Sequence, residues 1–168
     1  MGRELIIQVR DKQTKNVEWE NYVCGRDDAT NYIAQLVYNR WNSLPEIEED
    51  NLEGTDLSDR YSLIFDIDNE DDMRELANIR DNLKDYADRD KAEIQKAKDT
   101  LEDLRAARRN CGLYDEFVKF SREMDRVYEW LSNEDFSRAD ILFDYLVSAQ
   151  SLAFNSKYKS QIIIELSE

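Results

Sequence analysis

Apolar and polar residues alternate at period two through residues 4–10, ELIIQVR, with Leu5, Ile7 and Val9 on one face. That is the pattern of a half-buried strand. After the polar stretch DKQTKN, residues 17–24 (VEWENYVC) alternate again, with Val17, Trp19 and Val23 against charged or polar neighbours. The two segments predict a β-hairpin with a loop of several residues. Gly25 ends it, and Asp27 or Asp28 is placed to cap a helix reaching about Ser43. Ile33, Leu36, Val37 and Trp41 share one face of that helix, and Pro45, the single proline, stops it.

Residues 61–67, YSLIFDI, form an almost continuous apolar run and predict a strand at the centre of its sheet. Asn69 is placed to cap the next helix, with Asp71 and Asp72 in a first turn whose dipole favours negative charge. From Ile79 to Cys111, apolar or seam positions recur at steps of three or four over a helix of about residues 70–110. From Ile94 the steps 3, 4, 3, 4, 3 describe a heptad seam, while Tyr86, Asp90 and Ile94 stand four apart, like a stutter. Asp81/Lys84 and Glu93/Lys96 are spaced for helical ion pairs.

Asn110, Cys111 and Gly112 break the helix. Leu113, Phe117, Phe120, Met124, Val127 and Leu131 then predict a second helix folding back antiparallel on the first. Ser132 or Asn133 is placed to cap a third, to about Phe154, whose apolar residues surround most of its circumference and predict a buried helix. QIIIEL, residues 161–166, returns as a last strand. The expected fold is α+β. It has about four mostly antiparallel strands, one packed helix, and a helical hairpin inserted before the last strand. Residues 1–168 read as one domain, with 70–131 as a projecting arm.

Composition changes the picture mainly by exclusion. With 41% hydrophobic residues and 18 aromatics among 168, the chain is no disordered segment. The absence of histidine removes the Ser-His-Asp triad, the Cys-His dyad and His-ligated zinc. Cys24 and Cys111 make no zinc site alone, and they read as reduced, mostly buried thiols of a cytoplasmic protein. No signal peptide, myristoylation signal or membrane span is visible in the sequence. The net charge of −15 argues against direct binding of nucleic acid.

The charge is local. Residues 46–72 carry twelve acids (Glu46, Glu48, Glu49, Asp50, Glu53, Asp56, Asp59, Asp66, Asp68, Glu70, Asp71 and Asp72) and one base, Arg60. Residues 1–45 balance, 73–112 are net +1, and 113–168 are net −5. The bland reading is a solvated loop with helix-capping acids. A second is a nucleic-acid mimic, whose carboxylates imitate a phosphate row and attract a basic groove on a partner. A third is a divalent-metal site, because Asp66 and Asp68 stand two apart at the end of a strand and point to one side.

LIFDID, with NEDDM and Arg74 after it, resembles the first metal-binding motif of the archaeo-eukaryotic primase superfamily. The resemblance covers about a dozen residues and implies Asp66 and Asp68 as metal ligands. That family also uses a downstream histidine motif, which this chain lacks. An EF-hand starting at Asp66 fails, with Asp71 at the position of the turn glycine and Ala77 in place of the bidentate glutamate. In size, acidity and lack of a catalytic motif, the chain is similar to the small inhibitors that phages and mobile elements use against host defence, such as anti-CRISPR and antirestriction proteins. That likeness implies a non-enzymatic inhibitor without cofactor or metal, whose twelve acids bind a basic nucleic-acid-binding protein, a nuclease or CRISPR effector among them. The alternatives are a structural protein that assembles through its helical hairpin, as a homodimer for example, and a metal-dependent nucleotide enzyme using Asp66 and Asp68. The aromatic residues Trp19, Tyr22, Tyr32, Tyr38 and Trp41 read as core and rim of the hairpin–helix packing. Arg105, Arg108 and Arg109 read as a match to a helix C-terminal dipole.

Overall fold

Four strands form one antiparallel sheet: β1 (Arg3–Asp11), β2 (Val17–Gly25), β3 (Ser62–Asp66) and β4 (Ser160–Ser167), in spatial order β2-β1-β4-β3. The helices are α1 (Asp28–Ser43), α2 (Glu70–Asn110), α3 (Tyr114–Glu134) and α4 (Arg138–Asn155). The computed structural model describes residues 3–44, 61–134, 136–156 and 159–167. The chain divides into two compact units. One joins the sheet, α1, α4 and the start of α2 through Tyr86, and the other holds residues 87–137.

In the first unit the period-two pattern does what it predicts. Leu5, Ile7 and Val9 of β1, Leu63 and Phe65 of β3, and Ile162 and Ile164 of β4 are buried on one face of the sheet. Helices α1 and α4 pack against the sheet. Asp27 caps α1, its Oδ1 accepting from the Thr30 backbone N–H at 3.0 Å and the Thr30 hydroxyl at 2.8 Å. Leu76, Ile79 and Leu83 bury the first turns of α2. Tyr86 meets the Tyr32 ring at 5.6 Å between centroids, and Asn82 donates to the Tyr32 hydroxyl at 2.9 Å.

Three expectations are corrected. Segment 61–67 is not central: β3 is an edge strand, and β1 and β4 hold the middle. Its continuous apolar run reports cover on both faces, with Leu63 and Phe65 buried and Ile64 half-buried. Cover on two faces says nothing about neighbours on two edges. Helix α4 is not apolar-packed all round. Ala139, Leu142, Leu146, Ala149 and Ala153, at steps of 3, 4, 3 and 4, are buried, while Val147, Leu152 and Phe154 remain exposed. Ser132 and Asn133 do not cap α4 either; both lie inside α3, bonding back to the carbonyl of Glu129, and Ser137 directly precedes α4. The thiols also differ from the expectation, since Cys24 is exposed and Cys111 half-buried, both free.

In the second unit, later residues of α2 meet earlier residues of α3, the mark of an antiparallel pair. Arg105 donates to the Tyr128 hydroxyl, while Arg108 stands 5.5 Å from the Phe117 ring centroid and donates to Ser121 at 3.4 Å. Leu101 and Met124 are the buried apolar residues of this seam. Intrahelical ion pairs close on α2 at Asp71–Arg74, 3.3 Å, and Glu102–Arg105, 2.6 Å, neither of them the Asp81/Lys84 or Glu93/Lys96 spacing.

Candidate functional site

The acidic segment leaves the fold at the end of α1 and returns at β3. Trp41 near that end and Tyr61 just before β3 stack with ring centroids 4.3 Å apart and planes at 13°. One residue either side of that stack, the Arg40 guanidinium donates to the Ser62 carbonyl at 2.7 Å. Both flanks of the segment are therefore fastened at one place on the sheet unit. Glu46, Glu48, Glu49, Asp50, Glu53, Asp56 and Asp59 lie outside the described residues.

The other five predicted acids surround the β3–α2 turn. The Asn69 N–H donates to the Asp66 carbonyl at 3.1 Å, and Asn69 Oδ1 accepts the Asp72 N–H at 3.0 Å, capping α2 as its sequence predicts. Asp72 Oδ2 in turn accepts the Asp66 N–H at 2.9 Å. Asp72 is thus bound into the local backbone. Asp71 pairs with Arg74, and Glu70 is exposed at the first position of the helix.

Asp66 and Asp68 share a single ammonium group. Lys12 Nζ lies 3.4 Å from Asp66 Oδ2 and 3.8 Å from Asp68 Oδ1. Asp66 Oδ1 accepts from Gln161 Nε2 at 2.6 Å, and Gln161 Oε1 accepts from Arg10 Nε at 3.2 Å. The chain of contacts joins three strands and the β1–β2 turn. That turn is set by Asp11, whose Oδ1 accepts the backbone N–H groups of Gln13 at 2.9 Å and Thr14 at 2.8 Å. The Thr14 bond, then the Gln13 bond, hold the Asp11 carboxyl below its ordinary value. The Lys12 N–H donates to the Lys159 carbonyl at 2.7 Å, which holds the Lys12 backbone next to the start of β4.

A lysine bridging both carboxylates fills the position that a divalent cation would take between them. Among the described residues no group of three or more His, Cys, Asp or Glu side chains is arranged to hold a metal ion. The geometry of Asp66 and Asp68 is that of a structural tie. An open concavity of about 650 Å³ on α3 is lined by Lys119, Arg122 and Arg126 together with Asp115 and Glu123, a mixed set with no nucleophile–base pair.

The sequence located the acids and missed their partners. Lys12, Arg10 and Gln161 come from a turn and strands far away in the chain, and nothing in the linear spacing links them to Asp66. The Trp41–Tyr61 pair carried a readable signal, one aromatic residue on each side of an acidic stretch. Among the described residues no helix is long and apolar enough to cross a membrane. No protein-family model, curated protein or solved structure matches the chain.

Proposed function

We propose that the protein is a non-enzymatic binding protein that presents its acidic segment to a basic, nucleic-acid-handling surface of a partner protein and blocks it. The observation that carries this reading is the Trp41–Tyr61 stack. It fastens both ends of a segment holding seven acids to one point of a folded body. A tether of this kind lowers the ordering entropy that binding must overcome. The net charge of −15 favours fast, salt-sensitive association with a cationic surface. The internal pairing of Asp66, Asp68, Asp71 and Asp72 moves the weight of the reading onto Glu46, Glu48, Glu49, Asp50, Glu53, Asp56 and Asp59, together with Glu70.

The test is capture of partners from a host lysate by the wild-type protein and by a variant with Glu46, Glu48, Glu49 and Asp50 changed to Lys. The expected partners are basic, are released by salt and by excess duplex DNA, and are lost with the variant. Equal capture by both proteins would remove the reading.

A second reading, assembly through the helical hairpin, is favoured by a separate observation. Leu113, Tyr114 and Phe117 at the start of α3 are 65%, 79% and 46% exposed, and Tyr128 and Trp130 are exposed further along. Apolar residues gathered on one hairpin suit a protein–protein contact. Sedimentation over a range of concentrations tests it: a mass that rises with concentration in the wild type, and stays at one chain in Tyr114→Ser/Phe117→Ser, supports assembly.

A further inference from the structure

The two edges of the sheet are finished differently. In an antiparallel sheet both backbone groups of a residue point to the same side, and the side alternates along the strand. The Asp66 N–H points away from β4, because Asp72 Oδ2 takes it, and the Ser62 carbonyl is taken by Arg40. Both ends of the short β3 edge are thereby closed by side chains. Carried across the observed register, the same alternation turns Leu63 toward Ile164, Ile163 toward Gln8, and Ile7 toward Asn21. The groups of Glu20, Tyr22 and Cys24 on β2 therefore face outward. The Cys24 carbonyl is closed by Arg138 Nε at 2.8 Å, and the irregularity between Val9 and Arg10 interrupts the regular alternation at the other end. Between these stops, the N–H and C=O groups of Glu20 and Tyr22 meet no partner among the described residues.

We propose that this edge of β2 is a docking site for an extended, basic segment of a partner protein, which adds to the sheet as a fifth strand. Charge selects the occupant. Among the described residues, the donors to Glu18 and Glu20 are neutral, the Ser160 hydroxyl at 3.4 Å and the Gln8 amide at 2.6 Å. No cation among the described residues pairs with either carboxylate beside the open backbone. A neighbouring strand with Lys or Arg at alternate positions sets cations across from them. Tyr22, 62% exposed, offers its ring to a further cation or an apolar side chain. A second copy of this chain fits worse, since its own Glu18 and Glu20 would stand against these two. The site is separate from the acidic segment, and its test distinguishes the two.

The probe is the peptide Thr-Lys-Val-Lys-Val-Lys-Thr, titrated into the full-length protein and followed by amide NMR shifts and calorimetry. The expected result is saturable binding with the largest shifts at the Glu20 and Tyr22 amides. Glu18→Lys/Glu20→Lys weakens it by about tenfold or more, and N-methylating alternate peptide amides abolishes it. The Glu46, Glu48, Glu49 and Asp50 to Lys variant keeps it. Three results would each overturn the proposal: N-methylated peptide binding as well as the parent, binding lost in the segment variant and retained in Glu18→Lys/Glu20→Lys, or the peptide-free protein dimerising through β2.

Discussion

Asp90 Oδ2 accepts a hydrogen bond from the hydroxyl of Ser137 at 2.7 Å, across 47 positions of sequence. Asp90 is the residue that breaks the apolar seam of α2, and Ser137 closes the segment between α3 and α4. The polar intrusion thus ties the far end of the helical pair together. It also falls four residues after Tyr86, the last residue of α2 that belongs to the sheet unit. The stutter in the seam marks where α2 exchanges one set of neighbours for another.

Asp90→Ala should cost about 1.5–3 kcal/mol in urea unfolding, the usual loss for a hydrogen bond to a charged group. Asp90→Asn, which keeps an acceptor, should recover much of it. Hydrogen exchange is expected to place the loss within residues 87–137. Wild-type stability in Asp90→Ala would show that the bond contributes nothing.

The Trp41–Tyr61 stack should show a coupling of about 0.5–1.5 kcal/mol in a Trp41→Ala/Tyr61→Ala double-mutant cycle. Either single variant should also weaken partner binding, because the ends of the acidic segment are released from each other. Partner affinity that ignores the stack would separate the segment from the function proposed for it.

Asp66→Ala should destabilise the fold by about 1–3 kcal/mol, mainly because it leaves Gln161 Nε2 without its acceptor, while Lys12 keeps Asp68. Calorimetry with Mn²⁺ should give no saturable binding to the wild-type protein. Saturable uptake that disappears in Asp66→Ala would restore the metal reading.

Asp11 predicts an acid-side dependence. Its folded carboxyl titrates below its unfolded value because it accepts the Thr14 and Gln13 N–H groups. A depressed acid stabilises the fold at pH values above its unfolded pKa. That contribution declines as pH falls from the ordinary carboxylate range through the lower folded value. Asp11→Asn should therefore flatten the pH–stability curve in this window and leave its shape near neutrality unchanged. An identical slope in both proteins would show that the turn does not supply the linkage.

Periodicity carried most of the fold. Strands β1, β2 and β4 and the bounds of α1 and α2 follow from residues whose local pattern and tertiary packing agree, such as Leu5, Ile7 and Val9, or Asp27 and Asn69 at their caps. The misplacement of β3 has a plain cause. An apolar run reports burial of faces, whereas edge or centre is decided by which strands pair. Helix α4 misled for a related reason, since its composition is apolar all round but a sheet covers only one side. At the acid pair, sequence spacing put Asp66 and Asp68 on one side of the chain. It could not show that Lys12, more than fifty positions earlier, arrives between them.

The stacked rings of Trp41 and Tyr61 also separate tolerance from constraint. A stretch that departs and rejoins at a single anchored point can change length at a small entropic cost, because closure grows only with the logarithm of its size. Residues 45–60 are thus a natural graft site, where foreign peptides could replace the native stretch while the sheet keeps its register. Changes in the length of that stretch among descendants of this chain should be tolerated, while the two aromatic hinges are spared.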